Sequence, residues 1–198
     1  MSIIPTKSIL DYAMYYFNMG INVYPHCQGN TRWDKLKDLE QREGDMEIYE
    51  WEAFDGIDAI AGKTGVRMLK FMKIRDMSIL NVANIIKDAL DILHLPKDYP
   101  WVIIEPDAIA IIIKNSEDDL LTRNRSYAGR ESLSIGQTIL LWEGLFPLPC
   151  TNPRIHFLTT FPNGEPAFVK SDYIFKCLDI FREGSIADAK DLMKVLGI

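Results

Sequence analysis

The chain has 198 residues, of which 47% are hydrophobic and 25% are charged, which is the composition of a folded globular protein and excludes wholesale disorder. Its net charge of −6 argues against a broad electropositive surface, although it leaves room for a local basic groove. The longest apolar runs fall far short of the roughly 20 residues that cross a membrane, and the N-terminus carries no signal-peptide pattern. We therefore expect a cytoplasmic protein with no membrane segment.

Cys27, Cys150 and Cys177 form no C-x-x-C pair, which predicts free thiols and neither a disulfide framework nor a zinc site.

The first third of the chain predicts a helix followed by two short strands. Ser8 is a suitable N-cap, apolar residues then recur at helical spacing, and Gly20 ends the helix. Residues 21–25 are typical of a strand, and residues 33–54 form a charged stretch whose acidic run we interpret as a solvated face. Residues 57–62 alternate in polarity and end in a glycine turn, as a strand entering a loop does.

The middle of the chain is its most strand-rich part. It predicts four strands, with one helix between the first and the second and a proline turn between the second and the third. The strands are residues 68–74, 101–104, 109–113 and 138–142, and the helix is residues 78–93. We expect these strands to share one sheet, with the helix packed on one of its faces.

The last part of the chain predicts a hairpin and two helices. Residues 155–160 and 167–169 flank an Asn163-Gly164 pair, which is a strong hairpin signal. Helices follow at about residues 172–182 and 186–196. Strands and helices mixed in this way favour an α+β fold, with a mixed, partly antiparallel sheet, packed helices and two C-terminal helices.

The order of these elements resembles the N-terminal domain of primase–polymerases (prim-pol), which belong to the archaeo-eukaryotic primase superfamily. Residues 8–170 carry the resemblance, and it implies a prim-pol-like domain over residues 1–170, as one unit or two sub-modules sharing a core, with a helical extension over residues 171–198. The matching segments are Tyr12-Ala13, Gly20, Val23-Tyr24-Pro25, Trp51, Ile57 to Gly62, Leu148-Pro149-Cys150-Thr151 and Asn163-Gly164-Glu165-Pro166.

The resemblance also implies where catalytic residues should lie, and those residues are missing. The family holds divalent metal with an acidic i, i+2 pair at the end of a core strand, contacts nucleotide phosphates with a histidine, and completes the metal site from a later strand. The matching positions are Lys70 and Met72 for the pair, Ala110 for the histidine, and Ile139 or Leu140 for the later acid. A lysine ammonium about 4 Å from a divalent ion costs several kcal/mol at an effective dielectric near 20. We therefore predict a degenerate site with no catalytic residue, no metal and no cofactor.

Two alternatives to a plain loss of chemistry remain open. Glu105 and Asp107 form another i, i+2 carboxylate pair, and together with Glu143 they could make a relocated metal site, although Asp and Pro are also ordinary turn residues. The turn Gly62-Lys63-Thr64-Gly65 contains part of a phosphate-loop pattern without its G-x-x-x-x-G-K-[ST] spacing, which favours a turn with an exposed lysine.

The best basic patch in the sequence contains Arg123, Arg125, Tyr127 and Arg130. Arginines of this kind pair with phosphates, and a tyrosine among them can stack on a base, although an ordinary solvated loop has the same composition. Our prediction is a catalytically degenerate prim-pol-like domain that binds nucleic acid, a nucleotide or a replication partner, in the setting of a mobile element or phage. The partners expected first are single-stranded nucleic acid or a replication protein. The alternatives are an active nucleotidyl-transfer enzyme with relocated carboxylates and a protein-interaction module without a nucleic-acid role.

Overall fold

A computed structural model describes residues 8–26, 33–72, 79–106, 108–117, 139–142, 144–150 and 154–181, and it confirms the α+β class. The helices are α1 (Ile9–Asn18), α2 (Trp33–Leu36), α3 (Ile79–Ile92) and α4 (residues 171–181), with short 3-10 helices at Glu43–Ile48 and Trp51–Ala53. The strands are β1 (Val23–Pro25), β2 (Ile57–Ile60), β3 (Val66–Met72), β4 (Val102–Glu105), β5 (Ala108–Lys114), β6 (Ile139–Trp142), β7 (Leu145–Leu148) and β8 (His156–Phe157). None of the helices in these ranges is long and apolar enough to cross a membrane.

The strands form two sheets, one of three strands in the order β1-β2-β7 and one of five strands in the order β6-β3-β5-β4-β8. Every pairing between these strands is antiparallel, and a single parallel bridge joins Lys114 to Phe168. The four strands predicted from the middle of the chain do share one sheet, as β3 to β6. Its central strand β5 is a continuous run of small and β-branched residues and is buried almost throughout, which is the pattern of a strand covered on both faces.

Helix α1 packs against the small sheet and contacts one face of the large sheet through Tyr16. It begins with a capping box, in which Asp11 N donates to Ser8 Oγ and Ser8 N donates to Asp11 Oδ2, each at 3.1 Å. Its Tyr16 is fully buried, with ring centroids 6.3 Å from Trp101 and 6.5 Å from Phe157. Because α1 also contacts β1 and β2, it joins the two sheets into one core.

Helix α4 packs on the opposite face of the large sheet. The Phe181 ring meets Phe71 of β3 edge to face at 5.4 Å, and Phe71 alternates with Lys70 along the strand. At the other end of α4, Tyr173 lies 4.3 Å from the ring of His94, just beyond α3. Helices α3 and α4 share the hydrophobic cluster of the large sheet. Their buried members, with Leu93 just after α3, are Ile86, Ala89, Leu90, Leu93, Ile174, Phe175, Cys177 and Leu178. The second predicted C-terminal helix, at residues 186–196, lies outside the described residues.

The hairpin predicted around Asn163-Gly164 does not form. Strand β8 is two residues long and pairs with β4, while residues 167–169 bond to the end of β5 through Lys114 N to Ala167 O and Val169 N to Lys114 O. Side chains from distant parts of the chain hold the intervening loop, since Trp101 Nε1 donates to Gly164 O at 2.9 Å and Ala167 N donates to Tyr99 Oη at 2.9 Å. These long-range bonds replace the local strand pairing that the turn sequence favours.

Candidate functional site

Strand register places two of the positions that the resemblance assigns to catalysis, Lys70 and Ala110, side by side in the large sheet. Lys70 of β3 pairs with Ala110 of β5 on one side and with Leu140 of β6 on the other. Residues paired in this way point to the same face of an antiparallel sheet. Met72 pairs with Ala108, and Ile139 pairs with Phe71, so of the two alternatives for the later acidic position it is Leu140 that shares the row of Lys70.

An ion pair occupies this place in the sheet. Lys70 Nζ lies 2.5 Å from Glu105 Oε2, and the two side chains are only 19% and 9% exposed. Their strands are not neighbours, because β5 runs between them, so the side chains must bridge about 10 Å of sheet at the usual strand spacing. Ala110 and Ala108 stand opposite Lys70 and Glu105 on β5, and their short side chains leave the space through which the lysine reaches its partner.

The second oxygen of Glu105 is exceptional. Oε1 is buried and has no hydrogen-bond partner among the residues that the structure describes, whereas Oε2 accepts a hydrogen bond from Lys70 Nζ. A carboxylate with one idle oxygen is the kind of ligand that Mg²⁺ accepts, yet the ammonium beside it opposes any cation. Within the part of the chain that the structure describes, no three His, Cys, Asp or Glu side chains lie together as metal ligands would.

The other residues of the relocated-site and nucleic-acid hypotheses lie outside the described residues. Asp107 and Glu143 are among them, so the relocated carboxylate site is represented only by Glu105. The same holds for Arg123, Arg125, Tyr127 and Arg130, and for Cys27 among the three thiols. Of the two described thiols, both are free, and burial raises the pKa of Cys177 to about 12.

The Gly62–Gly65 turn links the two sheets, and its glycines have structural reasons to be glycine. A Cβ on Gly62 would lie 2.2 Å from the carbonyl oxygen of Lys37, and Gly65 has a φ of +75°. Only glycine permits the close backbone approach at Gly62, and glycine adopts the left-handed conformation at Gly65 without strain. The lysine of the turn, Lys63, pairs with Glu40 at 2.8 Å in an exposed position.

Sequence reasoning missed a second paired carboxylate, in the small sheet. His26 Nδ1 lies 2.9 Å from Asp58 Oδ1, with the histidine side chain 37% exposed and the aspartate 5% exposed. Burial raises the pKa of the Asp58 carboxyl, and the hydrogen bond to His26 only partly offsets this. The signal was an aspartate inside the otherwise apolar strand Ile57–Ile60, because a charged residue in a buried strand needs a partner.

No protein-family model matches the sequence, and no curated protein matches it. The prim-pol resemblance therefore stays a prediction. The fold adds that Lys70 and Ala110, two of the positions named by that prediction, are paired on neighbouring strands.

Proposed function

We propose that this chain is a prim-pol-like domain without polymerase chemistry, which binds single-stranded nucleic acid and does not extend it. The observation that carries the proposal is the Lys70–Glu105 ion pair, at the place in β3 where the resemblance puts the metal-binding acids. On this proposal, the ammonium group of Lys70 stands where the family has a carboxylate that binds a metal ion.

The electrostatics of this replacement oppose a two-metal reaction at Lys70 and so support the proposal. A unit charge about 4 Å from another costs or gains about 4 kcal/mol at an effective dielectric of 20, and a divalent ion doubles the repulsion by the ammonium. Ala110 has no group that contacts a phosphate, and Leu140 has no oxygen to complete a metal shell. All three sets of catalytic positions that the resemblance implies hold other residues here. This joint absence supports a change of role better than it supports an enzyme of reduced activity.

The binding role rests on the basic patch of the sequence. Arg123, Arg125 and Arg130 supply cations for phosphates, and Tyr127 supplies an aromatic face for a base. Single strands suit such a patch better than a duplex does, because the chain has a net charge of −6 and so no broad surface for a double helix.

The catalytic half of the proposal is tested by primer synthesis and extension. Protein, nucleotides and single-stranded template with Mg²⁺ or Mn²⁺ should give no product above that of a reaction without protein. Metal-dependent extension that Glu105→Gln or Asp107→Asn abolishes would establish the relocated carboxylate site instead.

The binding half is tested by a salt series of single-strand binding. Removing the three arginines together should flatten the log–log salt dependence by roughly two to three, at ~0.7 to 0.9 per phosphate contact. Tyr127→Ala should cost about 1–3 kcal/mol of binding with the slope unchanged, because stacking is not ionic. Equal slopes for wild type and the triple variant would remove the patch from the site, and no binding by wild type at low salt would defeat the proposal.

A protein-interaction module is the second candidate. It is favoured by large apolar side chains that the described surface leaves in solvent, above all Ile48 at 72% and Phe168 at 55% exposed. Failure of wild type to bind any single strand would leave this candidate ahead.

A further inference from the structure

The His26–Asp58 pair of the small sheet buries a charge where a neutral side chain would serve the fold. Asp58 lies on the central strand β2, whose residues are all buried, and its own side chain is 5% exposed. Burying a carboxylate is unfavourable, and burial raises the pKa of the Asp58 carboxyl even with His26 in place. An asparagine could accept the same hydrogen bond without a charge. The charge of Asp58 is therefore the feature that asks for a function.

Three contacts hold the imidazole of His26 in one orientation. Its backbone N–H donates to Gly56 O at 2.9 Å, which extends the register of β1 and β2 by one residue and places the side chain on the same face as Asp58. The side chain lies against Gly56, where an added Cβ would stand 3.1 Å from the histidine Cβ. Nδ1 lies 2.9 Å from Asp58 Oδ1. An ionised carboxylate can only accept a hydrogen bond, so Nδ1 carries the proton and Nε2 keeps its lone pair.

The Nε2 atom of this ring is open to solvent. The His26 side chain is 37% exposed, and no described residue makes a hydrogen bond to Nε2. A histidine that is held by a carboxylate at one nitrogen and open at the other is suited to act as a nucleophile, because the carboxylate stabilises the positive charge that develops on the ring. His156 is also exposed, on the edge strand β8, and the described residues supply no carboxylate to its ring. His156 is thus a built-in control for His26.

The surroundings of His26 favour a neutral reactant with an apolar part. Tyr24 shares the row of Asp58 and lies two residues before His26, about 7 Å along the strand, so its side chain is on the same face. Tyr49 packs edge to face on Tyr24, with ring centroids 5.2 Å apart, and both tyrosines are partly exposed. The segment that carries Tyr49, residues 43–55, contains acidic residues and no lysine or arginine. An anionic reactant would be repelled here, whereas an uncharged one could rest on the tyrosines.

From this arrangement we propose that His26 and Asp58 form an acyl-transfer site, at which His26 Nε2 takes the acyl group of a neutral ester whose apolar part contacts Tyr24 and Tyr49. The site uses none of the residues that carry the proposed nucleic-acid role, so the two proposals are tested independently.

The reaction needs only the ester and water. Nε2 forms a bond to the carbonyl carbon, and the alcohol oxygen leaves with the electron pair of the C–O bond that breaks. Asp58 stabilises the positive charge of the acyl-imidazole through the proton on Nδ1. Water then attacks the acyl carbon, which frees Nε2, and the proton that the water releases goes to the departed alkoxide through solvent. The products are the carboxylic acid and the alcohol.

Acylation of the full chain by diethyl pyrocarbonate, a neutral acyl donor, tests the nucleophile. Peptide mapping by mass spectrometry after brief treatment gives the rate at each histidine. His26 should react about tenfold faster than His156, because a carboxylate is bonded to its Nδ1. Asp58→Asn should slow His26 by about tenfold and leave His156 unchanged, since the amide still accepts from Nδ1 but cannot balance the charge. Equal rates at the two histidines, or no effect of Asp58→Asn, would overturn the proposal.

Turnover is tested with p-nitrophenyl acetate, a neutral aromatic ester, through the steady release of p-nitrophenolate. Wild type should release it at least about tenfold faster than His26→Gln, whereas His156→Gln should match wild type. Urea unfolding shows which variants are folded in the assay, and His26→Asn is the second variant if His26→Gln is not. Equal turnover by wild type and a folded His26 variant would overturn the proposal, as would equal loss of turnover in the His26 and His156 variants.

Discussion

Each of the two sheets holds a buried carboxylate paired with a basic side chain, and the two pairs differ in how they reach solvent. In the small sheet Asp58 is 5% exposed, but its partner His26 is 37% exposed and can exchange its hydrogen bond with water. In the large sheet both members are shielded, with Glu105 at 9% and Lys70 at 19%. In the small sheet, therefore, a buried carboxylate has a partner that is accessible to solvent. In the large sheet, both charged groups are mostly shielded from solvent.

The difference follows from the width of the two sheets. Asp58 lies on the central strand of three, between Tyr24 and Pro147, so its partner at the end of the edge strand β1 is close to solvent. Lys70 and Glu105 lie on interior strands of five, with β5 between them. In the wider sheet both members of the pair are partly buried, so removing one partner should have larger consequences there.

The largest effect is expected when the enclosed pair is broken. Lys70→Met should lower the free energy of unfolding by about 3–5 kcal/mol, because Glu105 then keeps a buried charge whose Oε1 already has no partner. Urea unfolding at neutral pH measures this directly.

The matched control removes both charges. Lys70→Met combined with Glu105→Leu should return to within about 1–2 kcal/mol of wild type or exceed it, since apolar side chains suit a shielded site. A double variant as unstable as the single one would show that the stability of this region does not depend on pairing the Glu105 charge.

A smaller effect is expected in the small sheet. Asp58→Ala should cost about 1–3 kcal/mol, because His26 loses its acceptor but can bond to water instead. Asp58→Asn should cost less, since the amide oxygen still accepts from Nδ1 and no charge is buried. Equal losses for the two variants, with unchanged dependence on urea concentration, would contradict this reading of the pair.

Much of the fold could be predicted because its signals are local. Ser8 and Gly20 bound α1 as expected, with Ser8 in a capping box and Gly20 at a φ of +70° just beyond the helix. The apolar density of residues 68–74 and 109–113 predicted strands of one sheet, and β3 and β5 do pair in the large sheet.

The failures came where distant contacts overruled a local pattern. The sequence analysis predicts no strand at β7 (Leu145–Leu148). Its Pro147 is tolerated because β7 lies at the edge of its sheet, where a missing N–H costs no pairing. The Asn163-Gly164 turn predicted a hairpin, and Trp101 and Tyr99 hold that loop elsewhere. Neither effect is visible in the spacing of neighbouring residues.

The candidate site shows the same limit. The resemblance predicts that Lys70 and Ala110 stand at the positions of a metal-binding acid and a histidine, and this stays a prediction. The sequence offers Glu105 only as one of an i, i+2 carboxylate pair with Asp107, because its contact with Lys70, two strands away, depends on strand register and on the alanines of β5. The His26–Asp58 pair joins residues 32 positions apart and has no sequence motif.

The smallest expected effect is the pH dependence of stability that Asp58 of the small sheet contributes. Burial raises the pKa of Asp58 above its ordinary value of 3.8, so the unfolded chain releases this proton first as the pH rises. The contribution to stability is therefore fully present below about pH 3.8 and is lost as the pH rises through the folded-state pKa. Asp58→Asn cannot titrate, so the stability of wild type relative to this variant should fall as the pH rises above about 3.8. Urea unfolding of both proteins at pH values below and above 3.8 measures the difference. A relative stability that instead grows with pH would mean that the hydrogen bond from His26 outweighs burial at Asp58, and the small-sheet pair would then stabilise the charged carboxylate.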